Sequence, residues 1–174
     1  MKRIIVSLLM LLALPFTLAA QNPAAAQREE MKKLNFMVGE WKGEGWIITP
    51  GGKRHEFIQT ENIRYKLDGL ALLVEGTGRR KPSNTVTFEA IGVIFYDERA
   101  KQFRMHSGTT EGHSGVSDMK LIEGGLQWSP QATGGRLRYT IKLTEKGEWH
   151  EVGEYSQDGN TWQKFHEMTL QKVK

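Results

Sequence analysis

Residues 34–46, LNFMVGEWKGEGW, decide the fold of this chain more directly than any other stretch of its sequence. In a strand, alternation puts three glycines and one tryptophan of this segment on one face: Gly39, Trp41, Gly43 and Gly45. Glycine inside a strand marks a bend or a close approach of two backbones. The segment therefore predicts the first strand of a small closed β-barrel, with Trp41 closing its base.

After Trp41, runs of β-branched and aromatic residues alternate with turn signals, a pattern typical of all-β proteins. The turn signals lie at Pro50-Gly51-Gly52, Asp68-Gly69, 79–84, 97–101, 109–112, Glu123-Gly124-Gly125, Gly134-Gly135, Lys146-Gly147 and Asp158-Gly159-Asn160. These breaks predict about ten short strands. The connections are too short for crossover helices, so neighbouring strands should pair antiparallel. We expect an up-and-down barrel rather than a sandwich, because closure removes exposed edges.

The N-terminus has the pattern of a secretory signal peptide. Lys2 and Arg3 precede an apolar run that ends at Ala20, and small residues follow. We predict a signal peptide over residues 1–20, with cleavage near Ala20 or Ala26, and a periplasmic or secreted protein without a membrane anchor. The chain has no cysteine, which excludes a lipidated cysteine, disulfides and thiolate metal sites.

The mature chain is predicted to be one domain. Residues 21–28 are expected to form a tether and residues 29–174 the barrel, with a short amphipathic helix from Gln27 to Phe36 that plugs one barrel end. About 150 residues suffice for one substantial core. The net charge of +4 falls when Lys2 and Arg3 are removed, and no dense basic stripe predicts binding to nucleic acid.

The second strand supplies the first candidates for a ligand site. Its odd positions form the more apolar series: Phe57, Gln59, Glu61, Ile63, Tyr65 and Leu67. If this face points inward, Gln59 and Glu61 enter the barrel, where polar groups need a partner, water or a ligand. An internal hydrogen-bond network is the alternative. We predict Phe57, Gln59, Glu61 and Tyr65 as ligand-binding residues, together with the tryptophans Trp46 and Trp149.

The histidines allow two interpretations. His106 and His113 flank one turn, with Glu111 nearby, but a zinc or copper site needs three or four converging ligands, so no metal site is predicted. His166 lies in the last strand, where neither face is cleanly apolar. An inward His166 could bind haem iron, whereas an outward one would be a surface residue.

No catalytic motif is present. The sequence has no Gly-x-Ser-x-Gly elbow, no phosphate-binding loop and no His-Glu-x-x-His pair. Carboxylates such as Glu61, Glu151 and Glu154 could supply acid–base chemistry, but spacing alone does not bring any two together. The sequence therefore favours a binding protein over an enzyme.

Several of these segments resemble known families. Gly39-Glu40-Trp41 resembles the Gly-x-Trp signature of lipocalins and related calycin barrels. This segment and Gly92-Val-Ile-Phe-Tyr-Asp97 also look like parts of a bacterial secreted family of unknown function with a calycin-like barrel. The resemblance covers most of residues 30–173. Lipocalins usually have a basic residue packed over this tryptophan, and the candidates here are Lys164, Lys172 and Lys174.

Residues 39–45 also look like the Gly-x-Trp-x-Gly-x-Gly opening of the nitrobindin family, whose barrels hold ferric haem through a histidine near the C-terminus. By position, this resemblance implies His166 as a haem ligand. We otherwise expect no cofactor.

The predicted function is the binding of a small apolar or amphipathic molecule inside the barrel. Three alternatives remain open. They are a haem barrel that uses His166, a barrel enzyme that acts on a lipid-like substrate through a buried residue such as Glu61, and a filled barrel that acts through its surface.

Overall fold

Ten antiparallel strands close into a single barrel in the computed structural model, which describes residues 22–174. The strands are β1 (Gly39–Ile48), β2 (Arg54–Lys66), β3 (Ala71–Arg80), β4 (Val86–Asp97), β5 (Gln102–Thr109), β6 (Ser114–Ile122), β7 (Gly125–Ser129), β8 (Arg136–Leu143), β9 (Trp149–Ser156) and β10 (Gln163–Lys172). Each strand pairs with its neighbours in sequence, and β1 also pairs with β10. This strand order confirms the predicted all-β up-and-down barrel. Every predicted turn signal also lies at a connection between two strands.

The glycines of β1 allow the backbones to approach closely where the barrel closes. Gly45 pairs with Phe57 of β2 and with Met168 of β10. A Cβ atom at Gly45 would lie 2.6 Å from the Glu167 carbonyl oxygen and 2.6 Å from Cζ of Phe57. A larger residue would therefore push apart the two strands that β1 joins, which confirms the close approach inferred from the sequence.

The N-terminal helix α1 (Pro23–Lys32) begins and ends four residues before the predicted positions. Asn22 caps it by accepting a hydrogen bond from the Ala24 amide at 3.1 Å, and Pro23 occupies the first helical position. Most of the segment predicted as a tether is therefore helical. A short 3₁₀ turn (Asn35–Met37) then leads from the helix region into β1.

This N-terminal segment closes one end of the barrel, as the sequence predicts. Met31, Leu34 and Met37 are buried in one cluster with interior side chains of the strands, among them Trp41, Ile63, Leu72 and Ile94. Trp41 donates a hydrogen bond from Nε1 to the Met37 carbonyl oxygen at 2.8 Å. The indole is therefore held by the turn that precedes its own strand.

Lys172 is the basic residue over this tryptophan. Its Nζ lies 5.3 Å from the centre of the Trp41 ring, within the range of a cation–π interaction. Below the same indole, the Trp149 ring packs edge to face at 5.7 Å between ring centres. Trp41 thus joins the closed end to the barrel interior.

The predicted signal peptide, residues 1–20, lies outside the described residues. Within residues 22–174, no helix has the length and apolar character needed to cross a membrane.

Candidate ligand-binding cavity

The barrel interior is filled at the helix end and hollow beyond it. A cavity of about 480 Å³ extends from Met37 and Trp149 towards Thr49, Arg80 and Glu111, which lie at or beside the turns of the opposite end. This volume is within the range of about 300–1,000 Å³ that is usual for small-molecule sites.

Most of the cavity wall is apolar. The strands contribute inward side chains that alternate with outward polar ones, and those in the wall include Phe57, Val74, Met105, Met119, Trp128, Ile141 and Met168. Unbranched methionines adapt to ligands of irregular shape. Trp128 stacks on Tyr139 with ring centres 4.3 Å apart, which gives one side of the cavity a flat aromatic surface.

Two polar residues of β2 interrupt this wall. Gln59 donates a hydrogen bond from Nε2 to Oε1 of Glu61 at 2.7 Å, and both side chains line the cavity. They lie over the backbone of β3, where a Cβ atom at Gly76 would be 2.8 Å from Oε1 of Glu61. The absence of a side chain at position 76 therefore makes room for the Glu61 carboxyl group.

A second carboxyl group enters the cavity from β9. Glu151 is only 6% exposed, and its Oε2 accepts a hydrogen bond from Nε1 of Trp149 at 3.1 Å. β9 is separated from β2 in the barrel by β10 and β1, so the two carboxyl groups enter the same cavity from strands that are not neighbours.

The two carboxyl groups hold protons more tightly than carboxyl groups in water. Burial raises the pKa of Glu61 to about 7, although the hydrogen bond from Gln59 opposes the shift. Burial and the charge of Glu61 raise the pKa of Glu151 to about 8, against hydrogen bonds from Trp149 and Trp128. Carboxyl groups with pKa values near neutrality can accept or donate protons at physiological pH.

His166 points into the cavity, which the alternation of β10 alone does not reveal. It shares its parity with the buried Met168 and Leu170, and the irregular pairing of β10 with β9 lies just before it, between Lys164 and His166. The imidazole stacks on Phe57 with ring centres 5.6 Å apart and meets the edge of Tyr139 at 5.7 Å. Burial lowers the pKa of His166 to about 4, so the ring is neutral at pH 7.

Two polar atoms of the cavity-lining residues are buried without a hydrogen-bond partner in the described part of the chain. They are Nε2 of His166 and Oγ1 of Thr109. Buried polar atoms normally have partners. Because these two atoms lie beside a cavity, a bound ligand can provide the missing hydrogen-bond partners.

The predicted ligand-binding residues divide into two groups. Phe57, Gln59, Glu61 and Trp149 line the cavity, as does His166, the predicted haem ligand. Trp46 and Tyr65 do not belong to its wall.

Trp46 lies on the outer face of β1, because it has the opposite parity to Trp41. Its Nε1 donates a hydrogen bond to Oε2 of Glu167 at 3.3 Å, and the guanidinium carbon of Arg54 lies 4.4 Å from its ring centre. The predicted ligand contact is therefore replaced by contacts with two charged side chains.

Tyr65 belongs to the closed end. Its hydroxyl oxygen lies 2.8 Å from the Met31 carbonyl oxygen and 2.6 Å from Oδ1 of Asn35, so it fastens the N-terminal segment to β2. Leu67, which the alternation of β2 places inside, is 66% exposed because the strand ends at Lys66.

Within residues 22–174, no group of three histidine or acidic side chains is arranged to hold a metal ion. His106 pairs with Val116 across β5 and β6, whereas His113 lies in the turn before β6 with Glu111 3.7 Å from its Nδ1.

Glu151 is not among the predicted ligand-binding residues, although the sequence contains a signal for its inward direction. Trp149, Glu151 and Gly153 alternate with His150, Val152 and Glu154, so an inward Trp149 implies an inward Glu151. Its approach to Glu61 depends on barrel closure, which local spacing does not specify.

Comparisons with known proteins support the fold and leave the ligand open. No protein-family model and no curated protein matches this chain. Among solved structures, the crystal structure of Rv2717c from M. tuberculosis matches with a TM-score of 0.63 and 12% sequence identity, over 83% of this chain and 97% of that one. At this identity the match shows a shared barrel fold only, which is consistent with a calycin-like barrel.

Proposed function

We propose that this protein binds a small apolar or amphipathic molecule inside its barrel. The observation that carries the proposal is the preformed cavity of about 480 Å³, whose apolar wall contains a few convergent polar groups. Glu61, Glu151 and His166 are the groups able to orient a ligand there. The proposed place of action is the periplasm or the cell exterior, because residues 1–20 have the pattern of a signal peptide.

A fluorescent apolar probe tests this proposal. N-phenyl-1-naphthylamine should bind with increased emission, and Ala90→Trp, which adds a large ring to the cavity wall, should weaken binding by at least about tenfold. Glu89→Trp is the matched control, because it places the same side chain at an exposed outward position of the same strand. Equal binding by the two variants, or no binding by the unmodified protein, would refute the proposal.

A haem protein is the second candidate function, and one specific observation favours it. Nε2 of His166 is buried beside the cavity without a hydrogen-bond partner among the described residues, and the neutral imidazole has the protonation state that iron binding requires. His166 would hold the iron as its protein ligand, and the bound haem would supply a site for a diatomic gas.

Addition of haemin tests this candidate separately. A Soret band of bound haem should appear with the unmodified protein and be lost in His166→Ala. The outward His150→Ala is the control and should leave the band unchanged. The absence of any spectral change would exclude haem binding.

A further inference from the structure

Charged and polar groups line both ends of the cavity. Arg80, His55, Glu56 and Glu111 lie near the end away from the helix, whereas Glu61 and Glu151 line the part towards Trp149. The side-chain donors to these two carboxyl groups are the uncharged N–H groups of Gln59 and Trp149. Within residues 22–174, no lysine, arginine or histidine forms an ion pair with either carboxyl group.

Two carboxyl groups that are buried together repel each other when both are ionised. Neutral donors only partly offset the loss of water around a charged carboxylate. A cation between them would favour ionisation of both groups. Among small organic cations, an ammonium group also provides several N–H donors for carboxylate oxygens.

The remaining wall defines the rest of the ligand. Phe57, Met105, Met119 and Met168 surround the space with apolar groups, so an alkyl or aryl body fits beside a charged head. An anionic head would meet Glu61 and Glu151, which disfavours fatty acids in this orientation.

We propose that the cavity binds an amphiphilic amine whose ammonium group lies between Glu61 and Glu151 and whose apolar body extends towards the end near Arg80. This inference rests on the proposed function and specifies the class of its ligand. Binding should release protons, because the cation favours the ionised form of both carboxyl groups.

Calorimetric titration with decylamine, decanol and decanoate tests the inference, since the three probes share a chain length and differ in the head group. At pH 7.5 decylamine should bind at least about tenfold more tightly than decanol, and decanoate more weakly than decanol. Titration in phosphate and in Tris, whose ionisation enthalpies differ, should reveal proton release.

Glu61→Gln and Glu151→Gln should each weaken decylamine binding by about tenfold or more, and should weaken it more than they weaken decanol binding. Two separate variants keep the test valid if one of them fails to fold. The matched control, Glu154→Gln, alters an outward carboxylate of β9 that pairs with Arg138 at 2.7 Å, and it should leave all three affinities unchanged.

Equal or tighter binding of decanol or decanoate would overturn the amine assignment and leave the proposed function intact. A preference for decylamine that survives in both glutamine variants would also overturn it. Binding of none of the three probes would contradict the amine assignment and the proposed function together.

Discussion

The two ends of the barrel interior are built from the same strands but differ in how closely they are packed. At the helix end, Met31, Leu34, Trp41 and Leu72 are at most 2% exposed, and the Trp41 N–H has a protein partner. At the other end the wall surrounds an open volume, and Nε2 of His166 has no partner within the described chain.

This difference indicates where the fold gains its stability. Close packing at the helix end buries apolar surface, and the buried Trp41 N–H is hydrogen-bonded to the Met37 carbonyl oxygen. The hollow end keeps two carboxyl groups and an imidazole away from water, which costs stability unless a ligand compensates for it. Substitutions should therefore destabilise the first region and can stabilise the second.

The largest effect is expected at the helix end. Trp41→Ala should lower the free energy of unfolding by about 3–5 kcal/mol, because it leaves a cavity and removes the hydrogen bond to Met37. Urea denaturation measures the loss. Trp46→Ala, on the outer face of the same strand, should cost less than about 1 kcal/mol, and similar losses in both variants would contradict the comparison.

At the hollow end, replacement of a buried carboxyl group should raise the free energy of unfolding, by an amount that depends on pH. The native pKa of Glu151, about 8, exceeds its ordinary value of 4.5, so the native state binds more protons between these values and loses stability as pH rises through them. Glu151→Gln removes this loss. It should stabilise the protein by about 2–4 kcal/mol at pH 8 and by less than about 1 kcal/mol at pH 4.5.

Thermal unfolding at the two pH values measures this effect. Glu154→Gln is the control, since its carboxylate pairs with Arg138 on the outer face and should change stability by no more than about 1 kcal/mol. A gain from Glu151→Gln of the same size at both pH values would show that burial of charge is not its cause.

A smaller loss of stability is expected when the Lys172 ammonium group over the Trp41 ring is removed. Lys172→Met keeps an apolar stem but removes the ammonium group 5.3 Å from the ring centre, so it should cost about 0.5–1 kcal/mol in urea denaturation. Lys174→Met, which removes an exposed lysine paired with Glu40 at 3.6 Å, should have a smaller effect. Equal losses would assign the effect to general surface charge.

Features that depend on local sequence signals are the ones that could be predicted from the sequence. Turn residues such as Asp68-Gly69 act locally, so the strand order could be predicted. Alternation along β2 correctly placed Phe57, Gln59 and Glu61 inside. The helix starts four residues before its predicted position because Asn22-Pro23 is a helix-initiation signal and not part of a tether.

The rest depends on contacts between distant strands. His166 points inward with Met168 and Leu170, which share its parity, but the mixed polarity of β10 does not show which of its faces meets the barrel interior. The proximity of Glu61 and Glu151 requires closure of β1 on β10. The outward direction of Trp46, by contrast, is predictable from the sequence alone. An even position in β1 lies on the opposite face of the strand from Trp41, which excludes Trp46 from the barrel interior.

Ligand binding in the hollow end can be tested directly on the indole N–H signals of the tryptophans. In a titration with N-phenyl-1-naphthylamine followed by nitrogen–proton correlation spectra, the signals of Trp149 and Trp128, which line the cavity, should shift most. Those of Trp46 and Trp162, whose rings face Arg54 and Arg138, should stay in place. Unchanged Trp149 and Trp128 signals, or shifts confined to Trp46 and Trp162, would contradict ligand binding in the cavity.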